Sequence, residues 1–343
     1  MNRVLSFIAL PVVGLSLVLL APSDLAEQEA TKQEAAKQDA TPQTGLNHAA
    51  KVKNCRKCHL DVMAEWENSL HAKSWSNPVF QAAVKRLGKK AEECARCHAP
   101  DSVPLVGAGN LPHARPDDRD LGVNCVTCHL DGRKYFGPHR SKGHGGIVVE
   151  KAYSNALFCS SCHGHSEVNK AHDAYTSYLT SPAHKEGKSC QDCHMETVNR
   201  QMVKSKKKLR RNVQRARDCK THIFAGAHTS GKASGAAELT AKIIDGKLTV
   251  QIRPKTGHDL PASHGREVRL TVKMLDKSGA TLKKRVRSWD LSRGKALSPA
   301  SNNEQVFEIY EGTVSTELIL VLMLSRAPGR PEAVILPIAT MKL

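Results

Sequence analysis

The chain has 343 residues, a formal net charge of +18 and only 4% aromatic residues. That length leaves room for two domains, while so few aromatic rings cannot fill an ordinary core of this size. Eleven cysteines are present, but a disulfide framework suits far smaller secreted domains.

Taken in order, Met1-Asn2-Arg3 and the apolar run Val4 to Leu20 have the charged start and apolar centre of a secretory signal. A cut after Ser23 or Ala26 is expected. The run is broken by Pro11 and falls short of the ~20 residues of a comfortable span, so a retained anchor is the second reading. No Cys precedes Cys55, which argues against a lipoprotein anchor. The expectation is an exported protein, periplasmic or extracellular, and that location argues against nucleic acid as a partner. Residues 24–50 are rich in Ala, Gln, Glu and Lys. They read as a flexible or weakly helical tether without a packed face, with His48 at its end.

From residue 55 to residue 194 the pattern Cys-x-x-Cys-His occurs five times: Cys55, Cys58 and His59; Cys94, Cys97 and His98; Cys125, Cys128 and His129; Cys159, Cys162 and His163; Cys190, Cys193 and His194. Each reads as a covalent c-type haem site. One short turn presents both thiols to the vinyl groups of the porphyrin and sets the adjoining imidazole under the iron. Zinc knuckles also use Cys-x-x-Cys, but they do not require a His directly after every second Cys. The expected cofactor is therefore five covalently attached haem c groups, with His59, His98, His129, His163 and His194 as proximal ligands. Five ferric haems with ionised propionates lower the net charge to roughly +13. The holoprotein stays basic, which favours redox partners with acidic docking surfaces, or an anionic membrane surface.

Two internal echoes stand out. Trp66…Ser69…His71 after the first motif resembles Tyr178…Ser181…His184 before the fifth. Cys94…Gly122…Cys125 has the spacing of Cys159…Gly187…Cys190. Together they suggest a duplicated two-haem unit with a further haem in front. The opening Cys-x-x-Cys-His…Trp66-x-x-Ser69-x-His71-Ala72, the site at Cys125 followed by Tyr135-Phe136-Gly137-Pro138-His139, and the ending Cys-x-x-Cys-His-Met195 resemble the multihaem cytochromes related to the tetrahaem electron acceptor of hydroxylamine oxidoreductase. The resemblance covers roughly residues 51–228. It implies haems in near-contact pairs with mostly two His ligands per iron, and its members include some with a five-coordinate haem. Five motifs instead of four is a departure.

Twelve histidines lie outside the motifs. The resemblance makes His71, His184 and His222 distal candidates; His139 and His144 compete for one role after the third motif. His48, His113, His165, His172 and His228 read as surface or propionate-contacting residues. Met63, Met195 and Met202 could supply sulfur ligands, but with so many histidines at hand they read as structural. From Lys204 to Lys220 nine of 17 residues are Lys or Arg, either a docking patch or a solvated face near propionates. Cys219, left over from the motifs, reads as a buried free thiol, ahead of an intermolecular disulfide or an iron ligand.

Beyond about residue 236 cysteines stop and β-formers alternate. Two strands are expected around Asp245-Gly246, a hairpin turn pair. Others are expected at 267–275, 281–287, 304–310, 314–324 and 333–341. The fold class expected is a mainly α/irregular multihaem cytochrome c domain (51–228) followed by an all-β immunoglobulin-like sandwich (229–343). Thr256-Gly257-His258…Pro261…Arg266 resembles a segment of β-domains appended to multihaem cytochromes, which makes His258 a further distal candidate.

The leading functional expectation is an electron carrier, with electrons passing along a row of mostly bis-His haems between redox proteins. An enzyme reducing or oxidising a small nitrogen or sulfur compound at one open haem is the alternative. Against it, no Cys-x-x-Cys-Lys site is present. A third reading is a homo-oligomeric conducting filament, with His48 near a flexible arm available for donation between chains.

Overall fold

Asn47 opens the first described helix. Its side chain accepts from the Ala50 amide at 2.7 Å, which satisfies a donor that a helix start otherwise leaves unpaired. The computed structural model describes residues 46–165, 174–204, 215–229, 232–262, 266–323 and 333–342, all within one compact unit, Pro42–Leu343. The expected signal, the tether up to residue 45, His172 and the basic residues 205–214 lie outside the described residues. Among the described residues no helix is long and apolar enough to cross a membrane.

Ten short α-helices come first: α1 His48–Arg56, α2 Leu60–Asn68, α3 Pro78–Leu87, α4 Ala95–His98, α5 Val103–Val106, α6 Cys125–His129, α7 Leu157–His163, α8 Ala174–Leu179, α9 Pro182–Lys185 and α10 Cys190–His194. Most of α4, α6, α7 and α10 is attachment motif, so their length is set by the pentapeptide. Asn124 starts α6 and Ser189 starts α10, each in a reciprocal capping box with the third helical residue. Two small sheets join these helices. Strands β1 (Tyr135–Gly137) and β2 (Ile147–Val149) pair in parallel, and β3 (Thr197–Arg200) pairs antiparallel with β4 (Arg217–Lys220). The apolar side-chain core here is small: Val52, Met63, Trp66, Ala72, Val126 and Leu130. Met63 is therefore packing material.

The expected tether ends earlier than residue 50. His48 is fully buried, with Nε2 3.1 Å from Asp101 Oδ1 and Nδ1 3.0 Å from an Arg115 guanidinium nitrogen. Nδ1 also lies 3.2 Å from Asn124 Oδ1. The same Arg115 donates to the carbonyls of Pro100, Asp118 and Gly122. A composition-based reading of the tether misses this, because the partners that bury His48 come from residues 100–122.

Seven strands follow. Strands β5 (Ala237–Ile244), β6 (Lys247–Pro254) and β9 (Asn303–Glu308) make one sheet. The second contains β7 (Glu267–Leu275), β8 (Thr281–Trp289), β10 (Ser315–Met323) and β11 (Ala333–Lys342), in the order β11-β10-β7-β8. Lettered along the immunoglobulin scheme these are A-B-E and C′-C-F-G, as expected of the sandwich class. Alternate residues of β7 and β10 are buried, the period-2 pattern of a sheet with one covered face. Leu248, Val250 and Ile252 from one sheet and Val268, Leu270, Val272, Met274, Leu318 and Leu320 from the other are fully buried. Each such side chain contributes about 2 kcal/mol of burial. The hairpin turn falls at Asp245-Gly246, both with positive φ, as a tight two-residue loop requires.

Candidate functional site

Four motif imidazoles are held by the backbone. His59 Nδ1 lies 2.9 Å from the Met202 carbonyl, His98 Nδ1 3.0 Å from Ser74 O and His129 Nδ1 2.9 Å from Phe136 O. His194 Nδ1 contacts Ala225 O in the same way. Donation from Nδ1 fixes the tautomer and leaves the Nε2 lone pair free for a metal. Met202 thus contributes its carbonyl.

Four of these rings face a second imidazole. The centroid separations are 6.0 Å for His59 and His144, 6.3 Å for His163 and His71, 6.2 Å for His129 and His222, and 6.2 Å for His194 and His258. Two imidazoles on one iron stand about 6 Å apart between ring centres, from metal–nitrogen bonds of about 2 Å on either side plus the ring radii. The interplanar angles are 29°, 50°, 44° and 12° in the same order. Burial first, and neighbouring imidazoles second, push His71 down to about 3 and His163 and His222 down to about 4. Neutral rings with a free lone pair are the form an iron binds. The buried Nδ1 atoms of His71 and His222 have no hydrogen-bond partner.

His98 is different. Its ring lies flat against Phe80, 3.8 Å between centroids and 9° from parallel, and Phe80 in turn packs against Trp75. A face-on stack orients the imidazole plane but does not oppose a metal on Nε2.

The expected distal histidines divide. His71, His144, His222 and His258 each face a motif imidazole, whereas His139 is exposed on the loop after β1 and His184 packs edge-on against Tyr178 at 4.9 Å. The Ser echo explains His184. Ser69 Oγ accepts from the amide of Ala72, and Ser181 Oγ accepts from the amide of His184 itself. The two histidines therefore sit one position apart on equivalent turns, and one helical residue is a rotation of about 100°. Met195 follows α10, and Cys219 on β4 bonds to the Val198 carbonyl at 3.4 Å. Of the basic run, Lys204 pairs with Asp61 and Lys220 with Asp192.

Several positioning residues carry no motif. Glu65 on α2 takes a two-pronged ion pair from Arg200 on β3 and accepts from the His222 amide at 2.8 Å. Phe224 lies between two of the imidazole pairs, with its ring 4.2 Å from His71 and 5.8 Å from His222. Gly122, with φ +53, passes so close to His71 that a Cβ there would meet the His71 carbonyl at 2.4 Å. Val123 then donates to that carbonyl at 2.9 Å, and its own carbonyl accepts from Trp66 Nε1 at 2.7 Å. The cysteines also meet across motifs. The Cys55 thiol lies beside Cys125 and that of Cys159 beside Cys190, all four unbridged, and Cys97 Sγ lies 4.0 Å from the Cys162 carbonyl. Motif one thus lies beside three, two beside four, and four beside five.

These thiol pairs, fixed imidazoles and facing neutral imidazoles fit covalent haem. A penta-heme cytochrome c552 from Thermochromatium tepidum superposes with a TM-score of 0.58 at 15% identity, covering 85% of this chain and 98% of its own. The fold is that of a multihaem c-type cytochrome. Residues 54–130 match the family model for cytochrome c554 and c-prime. Cytochrome c-554 of Nitrosomonas europaea is 28% identical over 101 residues, 26% of this chain. The match spans only 42% of that curated relative's length. The structural likeness to the multihaem cytochrome extends past the motif region, since 85% of the chain takes in much of the β-sandwich.

Proposed function

We propose that this chain is an exported pentahaem c-type cytochrome that carries electrons between redox proteins. The observation that supports it most is the set of four imidazole pairs at 6.0–6.3 Å, each containing a motif histidine. In this reading Cys55, Cys58, Cys94, Cys97, Cys125, Cys128, Cys159, Cys162, Cys190 and Cys193 hold five haems. His59/His144, His129/His222, His163/His71 and His194/His258 are axial pairs, and His98 is the proximal ligand of the remaining iron. Bound haem supplies one-electron ferric/ferrous chemistry at a potential tuned by axial ligands and burial. The chain's part is spacing and sheath: contacts between motifs bring neighbouring groups close, and Phe224 fills the space between His71 and His222. A net charge near +13 after haem loading suits acidic partner surfaces. The apolar N-terminal run supports a periplasmic or extracellular location.

The alternative, an enzyme acting on a small nitrogen or sulfur compound, needs one iron with an open face. The filament reading loses its support, because His48 is bonded within its own chain. EPR on the fully oxidised holoprotein, before and after nitrite, hydroxylamine or cyanide, separates carrier from enzyme. Five low-spin haems indifferent to added ligand would leave only a carrier. One high-spin haem in five that binds ligand would instead mark a reactive site, and steady-state assays with those compounds would follow.

A further inference from the structure

The four distal histidines are not held alike. His71 accepts at its carbonyl from Val123, His222 donates its amide to Glu65, and the residue after His258, Asp259, donates to Ser177 Oγ at 3.2 Å. Each of these three is thereby tied to a distant segment. His144 sits instead in the loop between β1 and β2, where residues 142–146 are all exposed. Its backbone is left-handed, φ +57, and the two residues after it, Gly145 and Gly146, also have positive φ. A left-handed histidine costs about 1 kcal/mol or more. The hydrogen bonds within the loop are local: Gly143 N to Ser141 Oγ at 3.1 Å and Gly146 N to Gly143 O at 3.0 Å. Among the described residues none ties 138–146 to another element. Only Tyr135, stacked on the His144 ring at 4.2 Å, retains the imidazole laterally.

From this contrast we infer that the haem between His59 and His144 has an exchangeable sixth ligand, and that its distal side is a gated coordination site for a small ligand. The inference rests on the axial assignment proposed above. A buried imidazole that leaves its iron has nowhere to go and rebinds at once. His144 can swing into water with its loop, relieving the left-handed backbone and holding the site open long enough for an external ligand to enter. The proximal side stays anchored through His59 Nδ1 and Met202 O. With haem bound and cyanide as the probe, the exchange would break one iron–imidazole bond and form one iron–carbon bond. The proton of hydrogen cyanide passes to the released imidazole or to solvent, and no electron moves.

The test is cyanide binding to the oxidised holoprotein, followed by stopped-flow absorbance and EPR, in the wild type and in His144→Ala. The variant should lack one low-spin signal of the wild type; if all low-spin signals persist, the axial assignment itself is wrong. Given that loss, the wild type should bind cyanide in a slow phase. The slow rate should level off at high cyanide, because release of His144 limits it. The low-spin signal consumed should be the one missing from His144→Ala, in which the slow phase is lost. If saturating cyanide leaves every wild-type low-spin signal intact, or consumes one that His144→Ala retains, the gated site does not exist. Should the alanine variant not assemble, His144→Met keeps a sixth ligand, and the same signal should shift instead of vanishing.

Discussion

His194 and His258 face each other at 6.2 Å with their ring planes 12° from parallel, one on a haem-motif helix and the other on a loop of the β-sandwich. The sandwich therefore carries one of the four facing imidazoles. Near-parallel imidazole planes split the iron orbitals most rhombically, so this pair should give the smallest top g-value of the low-spin haems. The His163/His71 pair, at 50°, should give the largest. Replacing His258 with Ala should remove the most rhombic EPR signal and add a high-spin one. His258→Met should keep that haem low-spin and raise its potential, as sulfur ligation does. Loss of a different signal would detach the sandwich from the fifth motif.

Gly122 and Gly187 hold equivalent places in the sequence echo but not in space. Both have positive φ, yet a Cβ on Gly187 meets nothing within 4 Å, whereas one on Gly122 would press on the His71 and Ala72 carbonyls. Gly187→Ala should cost about 1–2 kcal/mol from the backbone alone. Gly122→Ala should cost clearly more and should also perturb the EPR signal of the His71 haem. Thermal melts of the two holoproteins check the first statement, and equal losses would refute it.

The Glu65–Arg200 pair is largely shielded, with side chains 17% and 15% exposed, and it holds the amide of His222. Glu65→Ala strands the guanidinium and should destabilise by about 3 kcal/mol. Denaturant unfolding followed at the Soret band measures it. A double-mutant cycle with Arg200→Met should show a coupling above about 1 kcal/mol. A coupling near zero would mean that the two residues act separately.

His48→Ala leaves Arg115 and Asp101 without their shared partner and should cost about 2 kcal/mol. All haem signals should stay as in the wild type, since His48 is enclosed by protein donors and acceptors. Loss of a low-spin signal in that variant would instead make His48 a ligand.

Much of the candidate site was legible because its pattern is local. A haem attachment motif keeps both thiols and the proximal imidazole within five consecutive residues, so reading the pentapeptide reads the geometry. The strands were legible for the same reason. Alternation along β6, β7 and β10 is a property of neighbours two residues apart, and Asp245-Gly246 announces its own turn. The serine echo misled for a local reason as well: Ser181 and Ser69 cap similar turns, but His184 sits one residue further on and points elsewhere.

What the sequence determined by itself is therefore the number and place of the Cys-x-x-Cys-His motifs and the switch to a β-sandwich. Tertiary structure alone decided which imidazole faces which. A facing imidazole has only to stand about 6 Å from the first, and the chain can bring it from anywhere: His71 from just after the first motif, His222 from after the last, His258 from the sandwich. It also decided that His48 is a buried hydrogen-bonding residue and that His98 has Phe80 at its face. Nothing in the residues flanking His48 or His98 encodes those partners, because they come from segments that meet only on folding.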